Sequence, residues 1–294
     1  MKVKSTEITD LVVAHPNIKF KNIFRTIKIY LSYFKIKFLN EIQYKIAAIA
    51  GILTQFAFAG MYIMLYTAFL KEGSVSDYTI PQMSTYIWLQ QAFYSLFNLW
   101  ALDNDAVEEC RTGNIAMELV KPVDLYSIWH AKTLGKKIAM ASLRALPIIL
   151  ICSMPCLGQY KLMAPANVGT LIASIITLIL TTFLILAYIM ILYICIMKTM
   201  IPQGLKTTFA LILGFGAGEL IPIPFMPEAV VKILKLTPFY YMQNVTFNIY
   251  NGYISNPIEI IKIIIIQLVW IGIFTIIGRK MLNKQISKVV VQGG

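Results

Sequence analysis

The chain has 294 residues, of which 58% are hydrophobic and 14% charged, and its formal net charge is +12. A soluble domain is about 45–50% apolar and about 25% charged, so these proportions exclude an ordinary water-soluble enzyme and point to an integral membrane protein. The 26 Lys and Arg residues cluster at the flanks of apolar runs, as lipid surfaces and topology signals require, which argues against nucleic acid as a partner.

A polar and then a basic stretch precede the first apolar run, which is not the layout of a cleaved signal peptide. Residues 18–45 alternate at helical spacing, with Phe20, Ile23, Phe24, Ile27, Leu31, Phe34 and Phe38 on one side. Lys21, Arg25, Lys28, Ser32 and Lys35 line the other. This predicts a basic amphipathic helix in the membrane interface, within an N-terminal segment 1–45. Ile46 to Leu70 is a run of 25 uncharged residues, long enough to cross a ~30 Å hydrocarbon core. A loop with Lys71, Glu72 and Asp77 follows, and Tyr78 to Leu102 gives a second uncharged run of 25.

Residues 103–137 are charged and helix-patterned. Beyond them, Ile138 to Tyr160 is interrupted only by Arg144, whose long side chain is expected to snorkel; this is span three. Asn167 to Met197 contains span four. Span five is short: 12 uncharged residues from Thr207 to Gly218 precede Glu219 and the prolines 222, 224 and 227. Twelve helical residues reach only ~18 Å, so the helix either continues through Glu219 or ends part-way and folds back. Residues 227–238, PEAVVKILKLTP, predict a short helix with Glu228 and Lys232 paired and Pro238 at its end. Residues 219–256 therefore read as a re-entrant or surface helical hairpin, since irregular backbone at membrane depth needs a protein or water cover. Pro257 to Gly278 is span six, and 279–294 a basic tail. The expected fold is an all-α integral membrane protein with six transmembrane helices over 46–278.

Counting Lys and Arg sets the orientation: 20 fall on the side of the termini and of residues 103–137, and 5 on the other. The termini and the 103–137 loop are then cytosolic. The sequence has no G-x-x-x-x-G-K-[ST] loop, so ATP hydrolysis is not expected on this chain. Its two histidines, 115 residues apart, offer no zinc site. Residues 103–109, DNDAVEE, lack the turn glycine of a calcium loop and read as a solvated helix end.

Four stretches carry a family resemblance: AAIAGILTQFAFAG (47–60), YIWLQQAFYSLFNLW (86–100), TGNIAMELVKPVDLY (112–126) and PFMPEAVVKILKLTPFYY (224–241). They resemble the permease subunits of type 2 ATP-binding-cassette exporters, in particular the six-span subfamily of viologen-exporter-like permeases. The most specific element is Gly113 followed by Lys121-Pro122. The resemblance implies a bacterial cytoplasmic membrane location and no cofactor in this chain, with ATP and Mg on a partner ATPase. It also implies a pathway formed with a second permease copy or a non-identical sister, and a coupling helix in the 103–137 loop. Gly113, Ile115, Leu119, Lys121, Pro122 and Tyr126 are the expected coupling residues, and the apolar repeat Ile115, Leu119, Val123, Tyr126 and Trp129 suits packing on protein. A helix lying on the inner leaflet would show the same pattern.

An ATP-driven exporter of a hydrophobic or amphiphilic compound is the leading reading; a non-transport membrane enzyme or scaffold subunit is the alternative. Gln55, Gln90, Gln91, Tyr94 and Asn98 either line the pathway or hydrogen-bond helix to helix, at roughly 0.6 kcal/mol each. Gly214 and Gly218 form a G-x-x-x-G that permits close helix approach or loosens span five. Glu219 stands either at the outer lipid–water boundary or in a hydrated exit.

Overall fold

The computed structural model describes residues 23–72, 77–112, 115–119, 121 and 123–287; Gly113 and Pro122 of the expected coupling segment lie outside them. Among the described residues every regular element is helical. Helix α1 is Ile23–Ile42 and α2 is Lys45–Lys71, within one residue of the first uncharged run at each end. Then come α3 (Ile80–Ala92), the single turn α4 (Tyr94–Phe97), α5 (Asn104–Thr112) and the single turn α6 (Ala116–Leu119). The remainder are α7 (Leu125–Cys152), α8 (Val168–Thr199), α9 (Pro202–Gly216), α10 (Glu228–Leu234), α11 (Gln243–Tyr250) and α12 (Pro257–Ile286).

Among the described residues three helices are long and apolar enough to cross a membrane: α2, α8 and α12. The chain is thus a multi-pass membrane protein, but three of the six expected crossings are not plain apolar rods. The second is broken at Phe93 into α3 and α4 and leaves helical geometry at Asn98; thirteen residues of α3 reach only ~20 Å. The fifth, α9, stops at Gly216, before Glu219, which rules out a helix continuing through that carboxylate. The third, α7, has 28 residues but begins at Leu125, so the C-terminal half of the expected loop 103–137 is the first half of a long helix carrying Lys132, Lys136, Lys137 and Arg144.

Helix α8 is the centre of the bundle. A capping box between Asn167 and Thr170 starts it, satisfying two of the amide groups left over at a helix N-terminus. Its C-terminal half, from Leu184 to Met197, is almost wholly buried against α5, α9, α11 and α12. Residues 219–256 do not form a surface hairpin: α10 is short and carries the exposed Glu228–Lys232 pair at 3.8 Å, but Gln243 to Ile249 of α11 are all buried, packed on α8 and α3. The glycosylation-like triplet Asn244-Val245-Thr246 is buried with them.

The apolar side of α1 divides between two surroundings. Ile27 and Leu31 are exposed, Leu31 at 60%, while the side turned to the protein carries Tyr30, Tyr33, Phe34, Lys37, Phe38 and Glu41. Ion pairs decide the difference. Lys37 bridges Asp103, at 2.7 Å, and Asp105, and Lys136 reaches Glu41 at 3.3 Å. Lys37 also holds the Asp105 carboxyl below its ordinary range. Asp103 is therefore buried at the start of α5, not the solvated helix end that its acidic context suggested. Helices α1 and α7 cross with backbones nearly touching at Gly135, where an added Cβ would lie 2.5 Å from the Phe34 carbonyl oxygen.

That crossing admits no side chain. Gly135→Val should destabilise the protein by roughly 1–3 kcal/mol through overpacking, seen as a lowered thermal midpoint of the purified protein in detergent. An unchanged midpoint would mean that α1 is not seated on α7.

Candidate functional site

The broken crossings concentrate polar chemistry inside the bundle. Helix α9 ends in a Schellman arrangement: the Gly218 amide donates to the Phe215 carbonyl, and the Glu219 amide to that of Gly214 at 2.8 Å. Gly218 adopts φ +78°, a left-handed conformation that favours glycine. The carbonyls just beyond the cap are taken by side chains of two other helices. Tyr86 Oη donates to Gly218 O at 3.4 Å, Gln90 Nε2 to Glu219 O at 3.1 Å, and Tyr66 Oη to Leu220 O at 3.3 Å. The G-x-x-x-G of the sequence is thus a helix cap, not a helix–helix stripe. The close approach belongs to Gly216, whose added Cβ would meet Phe239 Cβ at 2.6 Å.

A parallel solution closes the second crossing. Lys137 is wholly buried, and its ammonium donates to Asn98 O at 2.7 Å and Ser95 O at 3.4 Å, the free carbonyls at the end of α4. Asn98 spends its side-chain oxygen on the Ala101 amide. Gln90 and Asn98, expected as pathway candidates, are therefore occupied in holding the backbone, and Gln91 is buried beside Gln90.

Residue Gln267 of α12, an amide alone in an isoleucine-rich run, performs the same service for the inward segment. It is fully buried and donates to Tyr241 O at 2.8 Å and Thr181 Oγ1 at 3.0 Å. Thr181 donates in turn to Met242 O at 2.6 Å. Sequence reasoning missed Lys137, counted as a loop charge, and Gln267; a lone polar residue in a long apolar run was the available signal for the second.

The other expected pathway residues do not serve the backbone in this way. Gln55 is 4% exposed, and neither its Oε1 nor its Nε2 has a partner. Tyr94 lies within electrostatic range of Glu219, Tyr62 and Arg144. Glu219 itself is half-buried. Tyr94 and Glu219 thus lie near Arg144, whose guanidinium rests against α2 at Gly51, one turn from Gln55. An open cleft of about 470 Å³ lies elsewhere, between α1, α7, α8 and α12, with Tyr30, Phe34, Phe183 and Ile271 as apolar walls and His130 and Arg279 as polar ones.

In the expected coupling segment the apolar repeat packs inward. Ile115 is fully buried, Tyr126 is 3% exposed, and Leu119 is half-buried. The Tyr126 ring rests on Gly278 of α12 beneath the Arg279 guanidinium, 4.9 Å from the ring centre. Lys121 pairs with Glu118 at 2.7 Å, and Lys132 holds Glu109 at 3.3 Å and Glu118 at 3.7 Å. What α5 offers to solvent is charged: Asp105, Glu108 and Arg111. Among the described residues no group of three or more His, Cys, Asp or Glu is placed to hold a metal ion.

A family model described as "ABC-2 family transporter protein" matches residues 56–293. No curated protein and no solved structure matches the chain.

Alanine at the two glycines separates a cap from a stripe. At Gly218 it should cost roughly 1–2 kcal/mol for the left-handed backbone, and more through Ile223, 2.9 Å from the new Cβ. At Gly214, where the nearest atom is Leu220 Cγ at 3.4 Å, it should leave thermal stability nearly unchanged. Equal losses at the two positions would restore the packing-stripe reading.

Proposed function

This chain belongs to the ABC-2 family of transporter proteins, and from that premise we propose that it is the permease subunit of an ATP-driven exporter. The family match over residues 56–293 carries the reading. A sequence without a phosphate-binding loop supports ATP and Mg on a separate ATPase subunit. The translocation pathway forms between two permeases, either two copies of this chain or this chain and a sister. The cargo is a hydrophobic or amphiphilic compound, for which these polar groups set in apolar helices are suited. Six crossings, a re-entrant segment over 219–256, and cytosolic termini in a bacterial cytoplasmic membrane complete the proposal.

The charge split of 20 against 5 motivates the orientation. In a cysteine-free background, cysteine at Ser255 should react with an impermeant maleimide applied to intact cells, and cysteine at Glu108 should not. Labelling at position 108 but not at 255 would invert the topology.

Coupling is assigned to α5 and the turn after it. Because Ile115 and Tyr126 are buried within the chain, the described surface chosen for the ATPase is the charged face with Glu108 and Arg111, themselves paired. Exchanging the two, Glu108→Arg with Arg111→Glu, keeps their mutual ion pair but inverts the pattern a partner meets. The exchange should reduce ATPase co-purification about tenfold, the loss expected from a charge-assisted contact, while the permease stays in the membrane. Full retention of the ATPase would remove α5 from the docking surface.

A further inference from the structure

Among the described residues Arg144 is a partly buried cation without an ion-pair partner. Lys137 is spent on the α4 carbonyls, Arg279 pairs with Asp124 at 3.2 Å, and Lys132 and Lys136 each hold carboxylates. Among the described residues no carboxylate lies within ion-pair distance of Arg144. Its Nε is sealed from solvent without an acceptor. The guanidinium lies flat on α2, in space that exists because residue 51 is glycine: an added Cβ there would stand 2.6 Å from Arg144 Cζ.

One helical turn further along the same face of α2 is Gln55, buried, with both amide atoms unpartnered. Buried polar groups are almost always hydrogen-bonded, so each exception calls for an explanation. Here two exceptions stand on adjoining turns. Tyr94 comes within electrostatic range of Arg144 from the facing segment. The flanks are apolar: Ile52 and Phe56 pack on the core, Phe56 edge-on to Trp88 at 5.6 Å.

We propose that Arg144 and Gln55 form the subsite for the anionic head, carboxylate or phosphate, of an amphiphilic cargo. The inference rests on the export reading and narrows its substrate class. The planar guanidinium takes two oxygens of such a head in parallel hydrogen bonds, and the Gln55 amide supplies a further donor from the next turn. Gly51 is the positioning residue that lets the guanidinium lie at that depth. An uncompensated arginine among apolar spans is costly, and it is characteristic of ion and substrate paths.

The test uses the full-length chain in phosphatidylcholine nanodiscs, without ATP, titrated calorimetrically with decyl phosphate. Decyl phosphate should bind, while decyltrimethylammonium and inorganic phosphate at the same concentration should neither bind nor compete. Arg144→Gln should weaken binding about tenfold or more, as expected for loss of a charged hydrogen-bond partner, and Arg144→Lys should recover part of it. Gly51→Ala keeps the charge and displaces only the flexible guanidinium, so it should weaken binding while the fold stays intact. Gln55→Leu removes an unsatisfied amide, so it should raise the thermal midpoint while weakening binding. Binding unaffected by Arg144→Gln, or equal binding of the cationic amphiphile, would overturn the subsite. Displacement of decyl phosphate by phosphatidylglycerol in the discs would assign the site to a resident lipid and overturn the cargo role. Arginine-dependent binding without ATP-driven movement would sink the export reading alone.

Discussion

The constraint on which the rest of this structure depends is that a backbone carbonyl freed by a broken helix inside an apolar bundle must find a donor. The apolar stretches expected as second and fifth crossings both break, and the segment 219–256 turns inward. Lipid offers no hydrogen bond, and an unsatisfied buried group costs about 1–3 kcal/mol. The sequence meets the demand with side chains sent across from neighbouring helices: Lys137 to α4, Tyr66, Tyr86 and Gln90 to the end of α9, Gln267 and Thr181 to the approach to α11. Each of these ties two or three elements together, so the breaks are also the places where the bundle is cross-linked.

This arrangement explains why a chain so apolar carries so many buried amides, hydroxyls and one fully buried lysine. Most of them serve the backbone. Once these are set aside, Gln55, Arg144, Tyr94 and Glu219 are among the described polar groups left without a backbone to hold. They come from α2, the α3–α4 break, α7 and the cap of α9. A transport subunit needs such a set, because cargo must meet polar groups that are not already committed.

The end of the molecule that carries α1, α5 and α6 follows a different logic. There, charges make the contacts: Lys37 with Asp103 and Asp105, Glu41 with Lys136, Lys132 with Glu109 and Glu118. These bonds run between α1, the α5–α6 segment and the first half of α7, which continues without interruption to Arg144.

Periodicity and run length determined much of this protein on their own. The limits of α2, the start of α8 and of α12 and the short helix ending before Pro238 were all legible, since each depends on local pattern and on the bilayer's fixed thickness; where the fifth helix stops was left open. The family resemblance was legible too, in the four stretches from 47 to 241. Partner choice was not. That Lys137 turns inward, that Gly218 caps a helix while Gly216 admits Phe239, and that Ile115 and Tyr126 are covered by the chain's own helices depend on contacts between residues far apart in sequence. One lysine or one glycine reads the same in sequence whichever neighbour it meets. Only the packed bundle determines which polar groups are consumed by backbone carbonyls, and so which ones are left for a ligand.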